Sequence, residues 1–103
     1  MDELVIELSN YRLEEAGNCI ALAKKLVEMG EYKTAANRSY YAIFHSIRAI
    51  LALDEIDFRK HSAVISYFRK EYIKTGIFDK SYSDVIGDAF FVRGKSDYDD
   101  FLL

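Results

Sequence analysis

An all-α, antiparallel up-and-down bundle of four main helices is the fold this sequence predicts, on three observations. No proline occurs in 103 residues, so nothing in the chain forbids long helices. Apolar residues recur at steps of three and four over several stretches, and no strict apolar/polar alternation runs long enough for a strand. Gly30 and Gly76 each stand just after such a stretch, where a left-handed helix C-cap favours glycine. Short connections between long helices then favour antiparallel neighbours.

The first helix is expected to start near Ser9 or Asn10, both good N-caps, and to end near Met29. Ala16, Ile20, Ala23 and Val27 mark its buried stripe, and residues 1–8 fit a separate short helix. The second helix is the clearest, since Tyr32, Ala36, Tyr40, Ile43, Ile47 and Ile50 keep one apolar face. It should end near Leu53, before the acidic link Asp54-Glu55-Ile56-Asp57. Asp57 reads as the N-cap of a third helix running to about Lys74, with Phe58, His61, Ile65, Phe68 and Tyr72 along one side. A fourth begins around Ser81–Ser83 and carries Tyr82, Ile86, Ala89 or Phe90, and Arg93. Gly94 offers a break there, because glycine costs about 1 kcal/mol relative to alanine in a helix interior.

Length allows one domain, residues 1–103, with no second core. Half the residues are hydrophobic, which supports a packed core over disorder. A domain this small buries a modest share of its surface, so help from an oligomer fits. The lone Cys19 excludes an internal disulfide framework and a cysteine-rich zinc site, and reads as a small buried apolar residue. Two histidines at i, i+4, a His-Glu-x-x-His run, a Gly-rich phosphate loop and a Gly-x-Ser-x-Gly elbow are all absent, so neither metal nor cofactor is expected. No apolar run approaches the roughly 20 residues of a membrane span. Met1-Asp2-Glu3 is acidic where a signal peptide is basic, so a cytoplasmic protein is expected.

The net charge of −3 hides an asymmetry. Residues 1–32 carry three basic and seven acidic side chains, and residues 75–103 three and six. Residues 33–74 carry eight basic against four acidic, a balance of +4. Such a field could attract a nucleotide or RNA backbone; the other reading is an ordinary solvated surface whose charges pair across the fold. Within that segment Arg38, Tyr41, His45 and Arg48 recur at steps of three, four and three, so they share one side of the second helix, away from its apolar face. Two guanidiniums, a phenol and an imidazole in line suit phosphate recognition, and His45 can exchange a proton between pH 5 and 8. The same stripe would also serve as a helix–helix or subunit interface. His61, on the apolar side of the third helix, reads first as a hydrogen-bonded packing residue.

Three stretches also carry a family resemblance: residues 11–51, from Tyr11-Arg12 through Arg38-Ser39-Tyr40-Tyr41-Ala42-Ile43-Phe44-His45; Lys60-His61-Ser62 onward through Phe78; and Phe90-Phe91-Val92-Arg93-Gly94-Lys95-Ser96-Asp97-Tyr98. Together they resemble the HEPN domain, in the small stand-alone branch often encoded beside a minimal nucleotidyltransferase. That resemblance implies a dimeric helical bundle. It also implies that active members are metal-independent ribonucleases whose site forms at the dimer interface. Their mark is a late arginine followed, after four to six residues, by a histidine. Arg93 matches the arginine, but Tyr98 stands where the histidine is expected. Arg38 and His45 satisfy the spacing in the second helix, not at the late position. Similar proteins continue into another helix, whereas this sequence stops at Phe101-Leu102-Leu103, an apolar end expected to be covered by the bundle or a partner.

Three readings follow. The first is a homodimeric binding module for nucleotide or RNA phosphate that acts with a nucleotidyltransferase in a toxin–antitoxin or related system. In it Arg38, Arg48 and Arg93 hold phosphate while Tyr41, Asp97 and Tyr98 shape the site. The second is a ribonuclease with His45 or His61 as acid or base and Arg38 or Arg93 stabilising the pentacoordinate phosphate. The third is a scaffold subunit whose polar stripe is an interface. The resemblance also makes Tyr98 a candidate acceptor for nucleotide transfer by a partner enzyme.

Overall fold

The first two helices meet through their smallest side chains, and that seam sets the frame. In a computed structural model, which describes residues 2–102 and the side chains of residues 2–94, α1 spans Glu3–Glu28 and α2 spans Tyr32–Leu53. Ser9, Ala16 and Ala23 of α1 and Ala35, Ala42 and Ala49 of α2 are all buried. Each trio steps by seven residues, nearly two turns, and so forms one line along its helix. The Ser9 hydroxyl donates to the Ala49 carbonyl at 2.8 Å. Position 9 therefore lies against 49, and the antiparallel run sets 16 near 42 and 23 near 35.

This arrangement corrects four expectations. Ser9 is a cross-helix hydrogen-bond donor, not an N-cap. Asp2 is the cap, its carboxylate accepting from the Leu4 N–H at 3.0 Å, and α1 runs unbroken from Glu3 with no separate short helix. Ile20 and Val27, expected in the buried stripe, are 47% and 51% exposed. Where small residues face the partner helix, larger ones are displaced to the flanks of the seam. Cys19 is buried, as expected of a small apolar residue. Tyr32, expected on the apolar face of α2, is exposed.

The opposite side of α2 carries the main core. Tyr40, Phe44, Ile47 and Leu51 pack with Val64, Ile65 and Phe68 of α3 (His61–Phe68), with Ile73, and with Ile86 of α4 (Ser81–Leu102). Between α3 and α4 the helix widens into a π turn, Arg69–Ile73, closed by the Lys74 N–H on the Arg69 carbonyl at 2.8 Å. Phe68 and Tyr72 stack across it with centroids 5.4 Å apart. Arg69 ties the turn to α4 by donating from Nη2 to the Ser83 carbonyl at 3.0 Å. Gly87 leaves room for that guanidinium, since a Cβ there would lie 3.1 Å from the same nitrogen and push it aside by a few tenths of an ångström. α4 passes through Gly94 without a break. α1, α2 and the start of α4 leave a groove of about 820 Å³ between them, walled by Ile20, Val27, Ile43, Ile50, Tyr82 and Val85.

Two helix ends show how the chain reverses. After α1, Gly30 takes φ +78° while the Glu31 N–H bonds the Leu26 carbonyl at 2.8 Å and the Gly30 N–H bonds Val27 at 3.0 Å, a Schellman closure. α2 closes the same way, Ile56 N–H to Leu51 at 3.0 Å and Glu55 N–H to Ala52 at 2.9 Å, but the left-handed residue is Glu55, with φ +58°. A side chain in that conformation costs roughly 1–2 kcal/mol, and glycine avoids it at an entropic cost of roughly 0.5–1 kcal/mol. Glu55→Gly is therefore expected to stabilise the fold by about 0.5–1 kcal/mol, read as a higher urea midpoint at unchanged slope. A lower midpoint would show that the Glu55 side chain contributes something its geometry does not reveal.

Candidate functional site

The four residues at steps of three and four along α2 do share one side, and folding brings two further residues to them. Tyr41, half-buried, lies at the centre. The Arg38 guanidinium stands 5.1 Å from its ring centroid and that of Arg93, from α4, 5.7 Å. Arg93 Nη2 donates to the Tyr41 hydroxyl at 3.3 Å. The His45 ring lies 6.0 Å away, and the His61 ring meets Tyr41 edge-on at 5.9 Å. Two guanidiniums and two imidazoles thus surround one phenol. Arg38 is steadied by the neutral amide of Asn37, whose Oδ1 accepts from Nε at 3.2 Å and Nη2 at 2.7 Å. That contact leaves its positive charge uncancelled.

Tyr40, 1% exposed, supports the group from below. Its hydroxyl bonds His61 Nδ1 at 2.8 Å, and the Arg93 guanidinium lies 5.1 Å from its ring. Burial pushes the Tyr40 phenol above its ordinary range, the Arg93 charge opposing, so it stays protonated at neutral pH. His61 also stacks on Phe44 with centroids 3.9 Å apart. Its place at the first residue of α3, hydrogen-bonded and partly buried, matches the packing role expected of it and also puts it beside Tyr41.

Arg48 is placed differently from Arg38. Its Nε and Nη2 grip the two oxygens of Asp57 at 3.2 and 2.6 Å, and Arg12 of α1 adds a contact to Oδ2 at 3.2 Å. Asp57 is thus not the cap of α3, which begins after Lys60; it ties the α2–α3 link to α1 and α2. Hydrogen bonding from Arg48 holds its carboxyl below the usual range, helped by the Phe58 N–H and the neighbouring arginine charges and opposed by burial. A phosphate at Arg48 would compete with a bidentate carboxylate. The side chains of Asp97 and Tyr98 lie outside the described residues, so neither is placed relative to Arg93. Among the described residues no group of three or more His, Cys, Asp and Glu could hold a metal ion, and no helix is long and apolar enough to cross a membrane.

The HEPN domain family matches residues 9–103. The chain belongs to the HEPN family. Among relatives, this HEPN domain is 34% identical over 87 residues to the Methanocaldococcus jannaschii protein named "Putative toxin MJ0142", covering 84% of this chain and 59% of that protein. A second protein of that organism with the same kind of name is 35% identical over 86 residues, covering 84% and 64%. A Thermotoga maritima protein of the UPF0332 group is 34% identical over 96 residues, covering 93% and 70%. The chain thus spans about three-fifths of the length of the two toxin-named relatives. No solved structure matches it.

Burial lowers the affinity of both site histidines for a proton. At His45 the charges of Arg48, Arg38 and Arg12 reinforce this while Glu15 opposes; at His61 the charges of Arg93, Arg48 and His45 reinforce it. Each group therefore binds its proton less readily folded than unfolded, where the value is near 6.5. The stability they contribute is complete above about pH 6.5 and is lost as pH falls through their lower folded values. The urea midpoint is expected to drop between about pH 7 and pH 5, and His61→Gln should flatten that dependence. Equal midpoints at both pH values would mean that the histidines titrate as they do in the unfolded chain.

Proposed function

We propose that this HEPN domain is a binding and interaction module that recognises nucleotide or RNA phosphate and acts with a nucleotidyltransferase partner in a toxin–antitoxin or related system. The observation that carries the phosphate half is the pair of guanidiniums, Arg38 and Arg93, standing 5.1 and 5.7 Å from the ring centroid of one tyrosine. An anion bound beside Tyr41 would meet the positive charge of both. Arginine suits this role because its planar fork can hold two phosphate oxygens. The toxin names of the relatives support the system-level half, and the nucleotidyltransferase follows from the resemblance of the stand-alone branch. Co-purification without a nucleotidyltransferase, from a host that encodes one beside this gene, would remove it.

A homodimer belongs to the same reading. Ile6, Leu13, Ile20 and Val27 step by seven residues along a flank of α1 and are each 41–51% exposed, a face suited to a second copy. A monomeric mass by light scattering would rule it out.

Labelled single-stranded RNA is expected to bind at low salt and to weaken as salt rises. Arg38→Ala and Arg93→Ala should each weaken it and each lower the salt slope by about one. No binding at low salt, or binding indifferent to both changes, would reduce the cluster to packing.

One observation favours a second reading, a metal-independent ribonuclease. His45 and His61 both flank Tyr41 and are held neutral, the form that accepts a proton. The late imidazole of active family members is replaced by Tyr98, a poor base at pH 7 with an ordinary value near 10. Cleavage of labelled RNA in EDTA is therefore expected to be weak and to rise in Tyr98→His. Robust cleavage abolished by His45→Ala or His61→Ala, yet indifferent to Tyr98→Phe, would move the function to this second reading.

A further inference from the structure

Beside the phosphate cluster, on the Arg48 side, lies a pocket of about 390 Å³ lined by Phe44, Arg48, Asp57, Phe58, Arg59 and His61. Its walls are more polar than those of the large groove, with two arginines, an aspartate and a histidine beside two phenylalanine rings. Phe58 is 39% exposed and rests at a tilt on Tyr67, centroids 5.5 Å apart, so its ring is held in place while part of it remains open. His61 is fixed by its Nδ1 bond to Tyr40 and its stack on Phe44, which leaves Nε2 as the ring nitrogen able to meet a ligand.

We propose that this pocket seats a nucleobase whose phosphate is held at Arg38 and Arg93. The inference rests on the phosphate reading above and adds a base subsite to it. Along α2, Tyr41 and Arg48 are seven residues apart, about 10 Å at the helical rise, which is about the reach of one nucleotide from phosphate to base. Aromatic and histidine rings supply stacking faces, and the guanidinium of Arg59 at the rim offers a further planar or ionic contact.

The pocket does not read the amino edge of a base through its one carboxylate, because that carboxylate is already saturated. Oδ1 of Asp57 accepts from Arg48 Nε and the Phe58 N–H, and Oδ2 from Arg48 Nη2 and Arg12 Nη2. Those four contacts use the acceptor capacity of a carboxylate. None remains for the amino edge of guanine, adenine or cytosine, so Asp57 does not discriminate among them, and stacking is the contact every base can make there.

The same base–phosphate unit occurs in single-stranded RNA and in a free mononucleotide. Fluorescence anisotropy at low salt with a labelled RNA hexamer, an abasic hexamer of the same length and labelled AMP tests the subsite and separates the sources. The base-bearing hexamer, AMP, or both should bind, and in the hexamer pair the bases should tighten binding by about tenfold, the range of one stacked base. Phe58→Ala should erase that difference while leaving abasic binding and its salt slope unchanged. Phe58→Tyr, which keeps the ring, should bind as the parent does and guards against a variant that merely unfolds. Equal binding of abasic and base-bearing hexamers by the parent chain overturns the base subsite and leaves the phosphate reading standing. Failure of every probe to bind at low salt overturns both.

Discussion

The candidate site depends on Tyr40. Its ring is almost wholly buried where α2, α3 and α4 meet, against Phe44, Phe90 and the Arg93 guanidinium, and its hydroxyl is bonded to the first residue of α3. A buried phenol needs a partner, because an unmet hydroxyl costs roughly 1–3 kcal/mol. The available partner is His61, so satisfying one core residue also fixes where α3 starts and how its imidazole is turned. Phe90 and Arg93 then lie one above the other on α4, the first packing on Tyr40 and the second spanning both Tyr40 and Tyr41. Core packing and site geometry are the same contacts seen from two sides.

The arginines divide into two groups by what compensates them. Arg12 and Arg48 share Asp57, and this three-member ion cluster joins α1, α2 and the α2–α3 link at the surface. With Asp57 about half exposed, its contribution to stability is modest and screened by salt. Arg38 instead leans on an amide and a phenol. The positive balance of the central segment is thus partly consumed by structure, while Arg38 stands at Tyr41, where Arg93 joins it from α4. Glu15 of α1 is the acid whose charge is felt at His45, so the acidic first helix borders the field without filling it.

Much of this was legible in the sequence wherever the cause was local. Helical periodicity located α2, Gly30 announced the turn after α1, and the steps of three and four put Arg38, Tyr41, His45 and Arg48 on one side. What escaped was set by residues far apart in the chain. Ser9 has the chemistry of a cap and also that of a donor small enough for a tight seam; only the Ala49 carbonyl, forty positions away, decides between them. Asp57 before a helix resembles a cap until Arg12 and Arg48 arrive from other elements. The alanine lines at steps of seven were present to be read, but larger side chains such as Ile20 and Val27 dominate a hydrophobicity pattern even when they end on the flank. His61 and Arg93 join Tyr41 only through packing, which leaves no spacing signal.

The π turn between Phe68 and Lys74 has a consequence for how sequences of this kind diverge. A wide turn holds one residue more than an α-helix needs to connect the same two points. Loss of a single residue there would let the segment close as ordinary helix while Phe68 on one side and the Gly76 reversal on the other stay where they are. A length change, which chains normally confine to loops, is here accommodated inside a helix, where a gap in an alignment would otherwise look like an error.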